Sequence, residues 1–299
     1  MDKAGGARIG WASLLGVICI WSGFILITRH STTGALTSWD IGMLRFGVGA
    51  LVSVCFLPFI ALPAPRVIAL FSLFGGVGYA LVVYAAFHMS PAAHASILLP
   101  GTLPFATAMI AWLWLGQKPL PLHLAALASV FAGVMMTAAD SLSQGPRLTL
   151  TQITGDVLFF CGSLSWGVFT LLLGRYSVQP LAAAVTTTLG SAMLYLPIWW
   201  LFLPTGLMQA SMPEIVMQAV YQGVLVVFIS MMLYSVAIDR LGPHTVALQI
   251  TFVPVISSLL AVPILGETIS VLEWGGLVAV TAGALLGARA SGRAFNQYG

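Results

Sequence analysis

Charge is what this sequence lacks. Only 6% of its 299 residues are Asp, Glu, Lys or Arg, where a soluble domain carries about 25%. With 59% hydrophobic residues and a mean hydropathy of +1.02, the solvent for most of the chain is lipid rather than water. The 11 Lys and Arg residues are scattered, and no basic cluster offers a groove to nucleic acid. Cysteine is scarce too. Cys19, Cys55 and Cys161 all lie in apolar runs, which reads as small core residues rather than disulfides or metal ligands. No HExxH, GxSxG or paired-Asp pattern occurs, so neither an enzyme nor a cofactor is expected. Acidic residues are missing from the middle of the apolar runs, with Asp156 and Asp239 near run ends. The carboxylate relay of proton-driven pumps has no candidate.

What is present is hydrophobic length. Ten apolar runs lie at about 10–29, 38–61, 67–88, 93–115, 122–139, 154–175, 180–203, 213–239, 243–265 and 271–289, each near the ~20 residues that cross a bilayer as helix. The first run follows Lys3 and Arg8 without an evident cleavage site, and is read as a retained span, not a signal peptide. Turn signals separate the runs: Pro63-Ala-Pro65, Ser90-Pro91, Pro119-Leu-Pro121, Pro180, Pro204 and Gly242-Pro243. The longest polar break falls before Thr154. It divides the chain into a five-helix unit at 1–140, a linker at 141–153 and a second unit at 154–299.

The two units are copies. At an offset of 150, Tyr84 matches Tyr234, His94 matches His244, Pro104 matches Pro254 and Ala132-Gly133 matches Ala282-Gly283; at an offset of 145, Gly10 matches Gly155 and Trp21 matches Trp166. A repeated unit with an odd number of spans must cross the bilayer in opposite directions, the ground plan of many transporters. Ten spans put both termini on one side. Lys3, Arg8, Arg66, Lys118, Arg175, Arg240, Arg289 and Arg293 fall on that side, against Arg29 and Arg147 on the other. The positive-inside rule makes the termini cytoplasmic. The fold class expected is an all-α membrane protein of ten helices, two inverted five-helix repeats around a central cavity.

Several polar or interrupting residues lie inside the spans. Trp11, Trp39, Trp112, Trp114, Trp199, Trp200 and Trp274 fall near span ends, where the amphipathic indole favours the interface. Trp21 and Trp166 lie near mid-membrane in equivalent places; bundle packing explains them, but a buried indole N–H wants an acceptor, which a cavity supplies and lipid does not. Pro104 and Pro254 are matched interruptions, candidates for hinges beside a binding site, against the plainer reading of static kinks. Tyr79 follows Gly75, Gly76 and Gly78, where a substrate can approach the backbone. Gln249 offers an amide at membrane depth, to a substrate or to a neighbouring helix. His94 begins the fourth span and is a candidate for a proton or a substrate carboxylate, against a helix-start side chain near water. Arg45, two turns into the second span, reads first as a snorkelling side chain, with an ion pair or a substrate carboxylate as alternatives. Gly283-Ala-Leu-Leu-Gly287 permits close helix approach. With Ala125, Ala128, Ala132 and Gly133 it suggests packing of the fifth and tenth helices within a monomer rather than dimerisation.

The stretches Ile20-Trp21-Ser22-Gly23, Leu44-Arg45-Phe46, Ser90-Pro91-Ala92-Ala93, Pro104, Leu115-Gly116-Gln117 and Leu265-Gly266-Glu267 resemble the EamA-type members of the drug/metabolite transporter superfamily. Each is weak alone; their order and duplication carry the resemblance over nearly the whole chain. Among members it is similar to bacterial exporters of aromatic amino acids. The resemblance implies a basket-like ten-helix fold, inner helices around a cavity, the fifth and tenth helices peripheral, and export by alternating access across the bacterial inner membrane. Gln117 stands where the second copy has Glu267, so Glu267 is given no role that needs a twin.

The expected function is a carrier of small amphipathic metabolites, amino acids including aromatic ones. Trp21, Tyr79 and Trp166 would contact the substrate, with Gln249 and His94 as polar candidates. Its expected partners are that substrate and the lipid bilayer. The rivals are efflux of drugs or cationic toxins, which calls for an intramembrane acid, an intramembrane enzyme, and a scaffold, which would want larger soluble parts.

Overall fold

Helix ends follow from the local sequence. Thr37 caps helix α2 (Ser38–Val54) in a reciprocal box with Asp40, and Thr149 caps α7 (Leu150–Tyr176) in the same way with Gln152. Proline opens α3 (Pro65–Gly75), α8 (Pro180–Phe202) and α11 (Pro243–Gln249), where its missing N–H costs nothing. Gly116, with φ +66, ends α5 (Ala92–Leu115), its N–H bonded to the Trp112 carbonyl. That gives the Leu115-Gly116 motif its physical meaning: a helix stop in the left-handed region open to glycine. The remaining helices are α1 (Lys3–Ser31), α4 (Val77–Met89), α6 (Pro121–Ser143), α9 (Met212–Gln218), α10 (Ser230–Leu241), α12 (Phe252–Leu265) and α13 (Val271–Tyr298), with a π-helical stretch, Ala219–Ile229, joining α9 to α10. The computed structural model describes residues 3–31, 35–90, 92–116, 121–143, 149–265 and 269–298, and among them there is no strand. Gln117, Lys118 and Glu267 lie outside the described residues, as does part of the expected linker.

Helix occurs in each of the ten expected runs, with four departures. The second run ends at Val54, not 61; Pro58 lacks an N–H, and a single 3-10 turn at Leu57–Phe59 follows. The third run breaks at Gly76, where Ser191 Oγ accepts the Val77 N–H at 3.1 Å. The eighth run contains the π-helical stretch. The ninth breaks at Ile250 and Thr251, between α11 and α12. Six helical rods are long and apolar enough to cross a membrane: Gly5–Phe24, Pro65–Met89, Leu150–Tyr176, Pro180–Phe202, Met212–Leu241 and Pro243–Ile264. Leu98–Trp114, Pro121–Met136 and Val271–Gly287 are shorter apolar helices.

Equivalent helices of the two copies pack antiparallel. A β-carbon at Gly133 would lie 2.6 Å from the Gly276 carbonyl oxygen, and one at Gly283 would lie 2.7 Å from that of Ala126. Advancing along α6 is therefore retreating along α13. Ser129 Oγ donates to the Ala279 carbonyl at 2.8 Å, and this pair, 150 residues apart, sits where the two helices cross. Among the described residues, no other helix pair is in more extensive contact. Helices α2 and α8 repeat the relation: Asp40 meets Trp199, Gly42 meets Tyr195 and Gly49 meets Thr188.

The bundle is greasy outside as well as in. Leu51, Phe59, Trp200, Phe202, Leu150 and Val278 are largely exposed, as expected where lipid is the solvent. Trp11, Trp112, Trp114, Trp200 and Trp274 also face outward. Two of the seven expected interfacial tryptophans do not: Trp39 stacks on His88, and Trp199 Nε1 donates to Asp40 at 3.1 Å. The cysteines correct their expectation too, since all three are free and exposed. A thiol is apolar enough to face lipid.

Candidate functional site

The bundle's main aromatic cluster forms where α1, α4, α7 and α10 meet. The Trp21 and Trp166 rings touch edge to face, with centroids 5.3 Å apart. Tyr234 stacks on Trp21 at 5.4 Å, and Tyr79 meets Trp166 at 4.9 Å. Trp21 Nε1 donates to Ser230 Oγ at 2.9 Å, and the Tyr234 hydroxyl pairs with Thr170 Oγ1 at 2.6 Å. The Trp166 indole N–H is buried with no acceptor at hydrogen-bonding distance, though it lies near the Tyr234 hydroxyl.

Beside this cluster is a cavity of about 740 Å³, part of it open to the outside. Trp21, Tyr79 and Trp166 line it together with Phe24, Phe87 and Leu99. Its wall is mostly apolar and aromatic, as small-molecule sites are. Three of the residues singled out from the sequence are thus brought together on one wall. Pro100, a turn before Pro104, lines the cavity, as does Val253, next to Pro254.

The two prolines act differently. Helix α5 runs unbroken through Pro100 and Pro104, braced by hydroxyls: Thr102 Oγ1 donates to the Leu98 carbonyl and Ser163 Oγ to that of Leu99, each at 2.6 Å. In the other copy the break falls four residues before Pro254. Pro254 cannot donate to the Ile250 carbonyl, which instead accepts the Val253 N–H at 2.9 Å. Restoring the donor with Pro254→Ala should join α11 to α12. Transport is then expected to fall roughly tenfold, the rate cost of about 1.4 kcal/mol. Folded yield should hold, and amide exchange at Ile250 and Thr251 should slow. Pro104→Ala should change rate less; equal effects would contradict the distinction.

Gln249 and His94 do not line the cavity. The Gln249 amide is buried and donates to the Ala284 carbonyl on α13 at 2.7 Å. An amide in an apolar interior takes the nearest acceptor, here a helix backbone. Gln249→Leu should cost roughly 1 kcal/mol of thermal stability and leave the substrate KM unchanged; a raised KM would return the residue to the site. His94 holds a protein carboxylate. Its Nδ1 lies 2.9 and 3.0 Å from the two Asp156 oxygens, and Ser90 Oγ donates to Asp156 at 2.6 Å. This cluster ties the first copy's α4–α5 corner to the second copy's α7.

One cavity residue departs from its first sequence reading. Arg45 does not snorkel. It is 8% exposed and lines the cavity. Ser163, Phe24 and Leu99 were not singled out by sequence; they are ordinary residues of apolar helices, and only the packing of α5, α7 and α1 makes them lining. Among the described residues, no group of three or more His, Cys, Asp or Glu could hold a metal ion.

An all-helical apolar bundle with an aromatic-lined cavity defines the class: a multi-pass membrane protein. The chain belongs to the EamA-like transporter family, which it matches over residues 8–139 and again over 153–288. Two matches in one chain make it a pair of family repeats. A solved structure, described only as "Crystal structure of protein", superimposes with a TM-score of 0.75 over 97% of this chain and 99% of that one, at 20% identity. That likeness concerns the fold alone. No curated protein matches.

Proposed function

We propose that this chain is a monomeric carrier exporting small amphipathic metabolites, amino acids including aromatic ones, across a bacterial inner membrane. In this reading residues 1–140 and 154–299 are inverted five-helix units, giving ten spans with cytoplasmic termini. The observation that carries it is the aromatic wall that Trp21, Tyr79 and Trp166 build together on one cavity. Flat aromatic faces attract apolar and aromatic bodies with little directional demand, so selectivity is broad. The antiparallel crossing of α6 with α13 supports the inversion, and rocking of one unit against the other would expose the cavity to either side in turn. The break between α11 and α12, just before Pro254, would serve as the joint. Efflux of cationic drugs fits less well, because the cavity wall carries a cation, Arg45.

Proteoliposomes holding the purified chain should pass tryptophan, phenylalanine or methionine faster than empty vesicles. Repeating the assay with a pH gradient tests coupling, and a passive carrier gives the same flux with and without it. No protein-dependent flux of any amino acid would overturn the proposal.

A further inference from the structure

Arg45 is the one charged side chain among the described residues that line the cavity. It is nine-tenths buried, and its Nε–H has no acceptor. No described carboxylate forms an ion pair with it. Asp40, five residues earlier, is engaged elsewhere: it accepts from Thr37, Trp199, Thr205 and the Gly206 N–H. Tyrosines surround the guanidinium instead. Tyr79, Tyr84 and Tyr195 are all within its electrostatic reach. The Tyr195 hydroxyl is already bonded to the Trp39 carbonyl, while that of Tyr84 is buried beside the guanidinium itself and, being neutral, supplies no counter-charge. A guanidinium stays charged in any protein environment, and a buried charge left without a counter-charge is strongly unfavourable. Within a membrane such a group is held for a ligand or an ion path.

We propose that Arg45 is an anion receptor and that the cavity's ligand is a carboxylate on an aromatic or apolar body. The planar fork of N–H donors matches a carboxylate in shape and charge, and the wall of Trp21, Tyr79 and Trp166 takes the body. No acidic side chain lines the cavity among the described residues, so an ammonium group adds no ionic attraction. The site therefore selects for the acid and not for the amine. This deepens the carrier reading and rests on it for treating the cavity as a substrate site, but binding can be measured without flux.

The test uses three probes with one phenyl body, titrated by calorimetry into the purified full chain: 3-phenylpropionate, phenylalanine and 2-phenethylamine. The two carboxylates should bind, and the amine should bind about 10- to 100-fold more weakly, the range of one lost charge-assisted hydrogen bond. Arg45→Gln should weaken phenylpropionate by a similar factor, with Arg45→Lys between it and wild type. Equal affinity for the amine and phenylpropionate in the wild-type chain overturns the proposal, as does failure of both carboxylates to bind at millimolar concentration. So does a folded Arg45→Gln variant of undiminished affinity. Should Arg45→Gln not fold, the wild-type series decides alone. Carboxylate binding without any flux would sink the carrier and leave the receptor. Flux of the amine equal to that of phenylpropionate would do the reverse.

Discussion

Valine at Gly133 or Gly283 should leave almost no folded protein. A β-carbon at Gly133 already lies 2.6 Å from a carbonyl oxygen and 2.9 Å from the Val280 nitrogen of α13; at Gly283 the corresponding distances are 2.7 and 2.9 Å, to Ala126 and Val130 of α6. These contacts are backbone, which cannot rotate away as a side-chain tip can. Separating the helices to admit a branched side chain would open much of their interface, at a cost of about 3 kcal/mol or more. That is a large share of a total stability of roughly 5–15 kcal/mol. Size-exclusion profiles and thermal melts of detergent extracts measure it. Gly116→Ala is the contrast: nothing lies within 4 Å of its β-carbon, and only the φ of +66° opposes it, at about 1 kcal/mol. Monodisperse Gly133→Val with a wild-type melting point would refute the close crossing.

Trp166→Ala should abolish transport of aromatic substrates, a loss of at least about 100-fold at roughly 1.4 kcal/mol per tenfold. Trp166 is the hub of the aromatic cluster, touching Trp21, Tyr79, Phe169 and Tyr234. Truncation removes a buried ring, at about 3–5 kcal/mol in the folded state, and also a face of the binding wall. Two companions separate these effects. Trp166→Phe should recover most of the stability and part of the transport. Phe169→Leu, on the side of the cluster away from the cavity lining, should lower stability with KM little changed. Wild-type flux by a folded Trp166→Ala variant would remove the aromatic wall from the mechanism.

Much of this architecture is legible in hydropathy and punctuation. Apolar runs bounded by proline and glycine located the helices, because backbone groups in lipid must pair within their own segment, though ends such as those of α1, α2 and α13 differ by more than a turn. Trp21 and Trp166 stood out because duplication separated them from their interfacial neighbours. Arg45 was read first as snorkelling, because its distance into a span suggests that, whereas the packing of the helices buries it on the cavity wall. Gln249 stayed open between a substrate and a neighbouring helix for a related reason: its partner is the backbone carbonyl of Ala284, and a backbone acceptor leaves no trace in sequence. The His94–Asp156 pair joins residues 62 positions apart, beyond any local pattern. The break at Gly76 depends on Ser191 of the other copy.

The His94–Asp156 pair has a twin position, and the twin is not the same. In the register that aligns Gly10 with Gly155, Asp156 falls opposite Trp11. Gly155 lies against Ser90, and Gly10 against Arg240 at the corresponding corner. One corner is clasped by a carboxylate held between Ser90 and His94; its counterpart has an indole where that carboxylate would be. A molecule written twice thus has a front and a back. Its two equivalent corners are built from different side chains, so a change at one has no mirror image at the other.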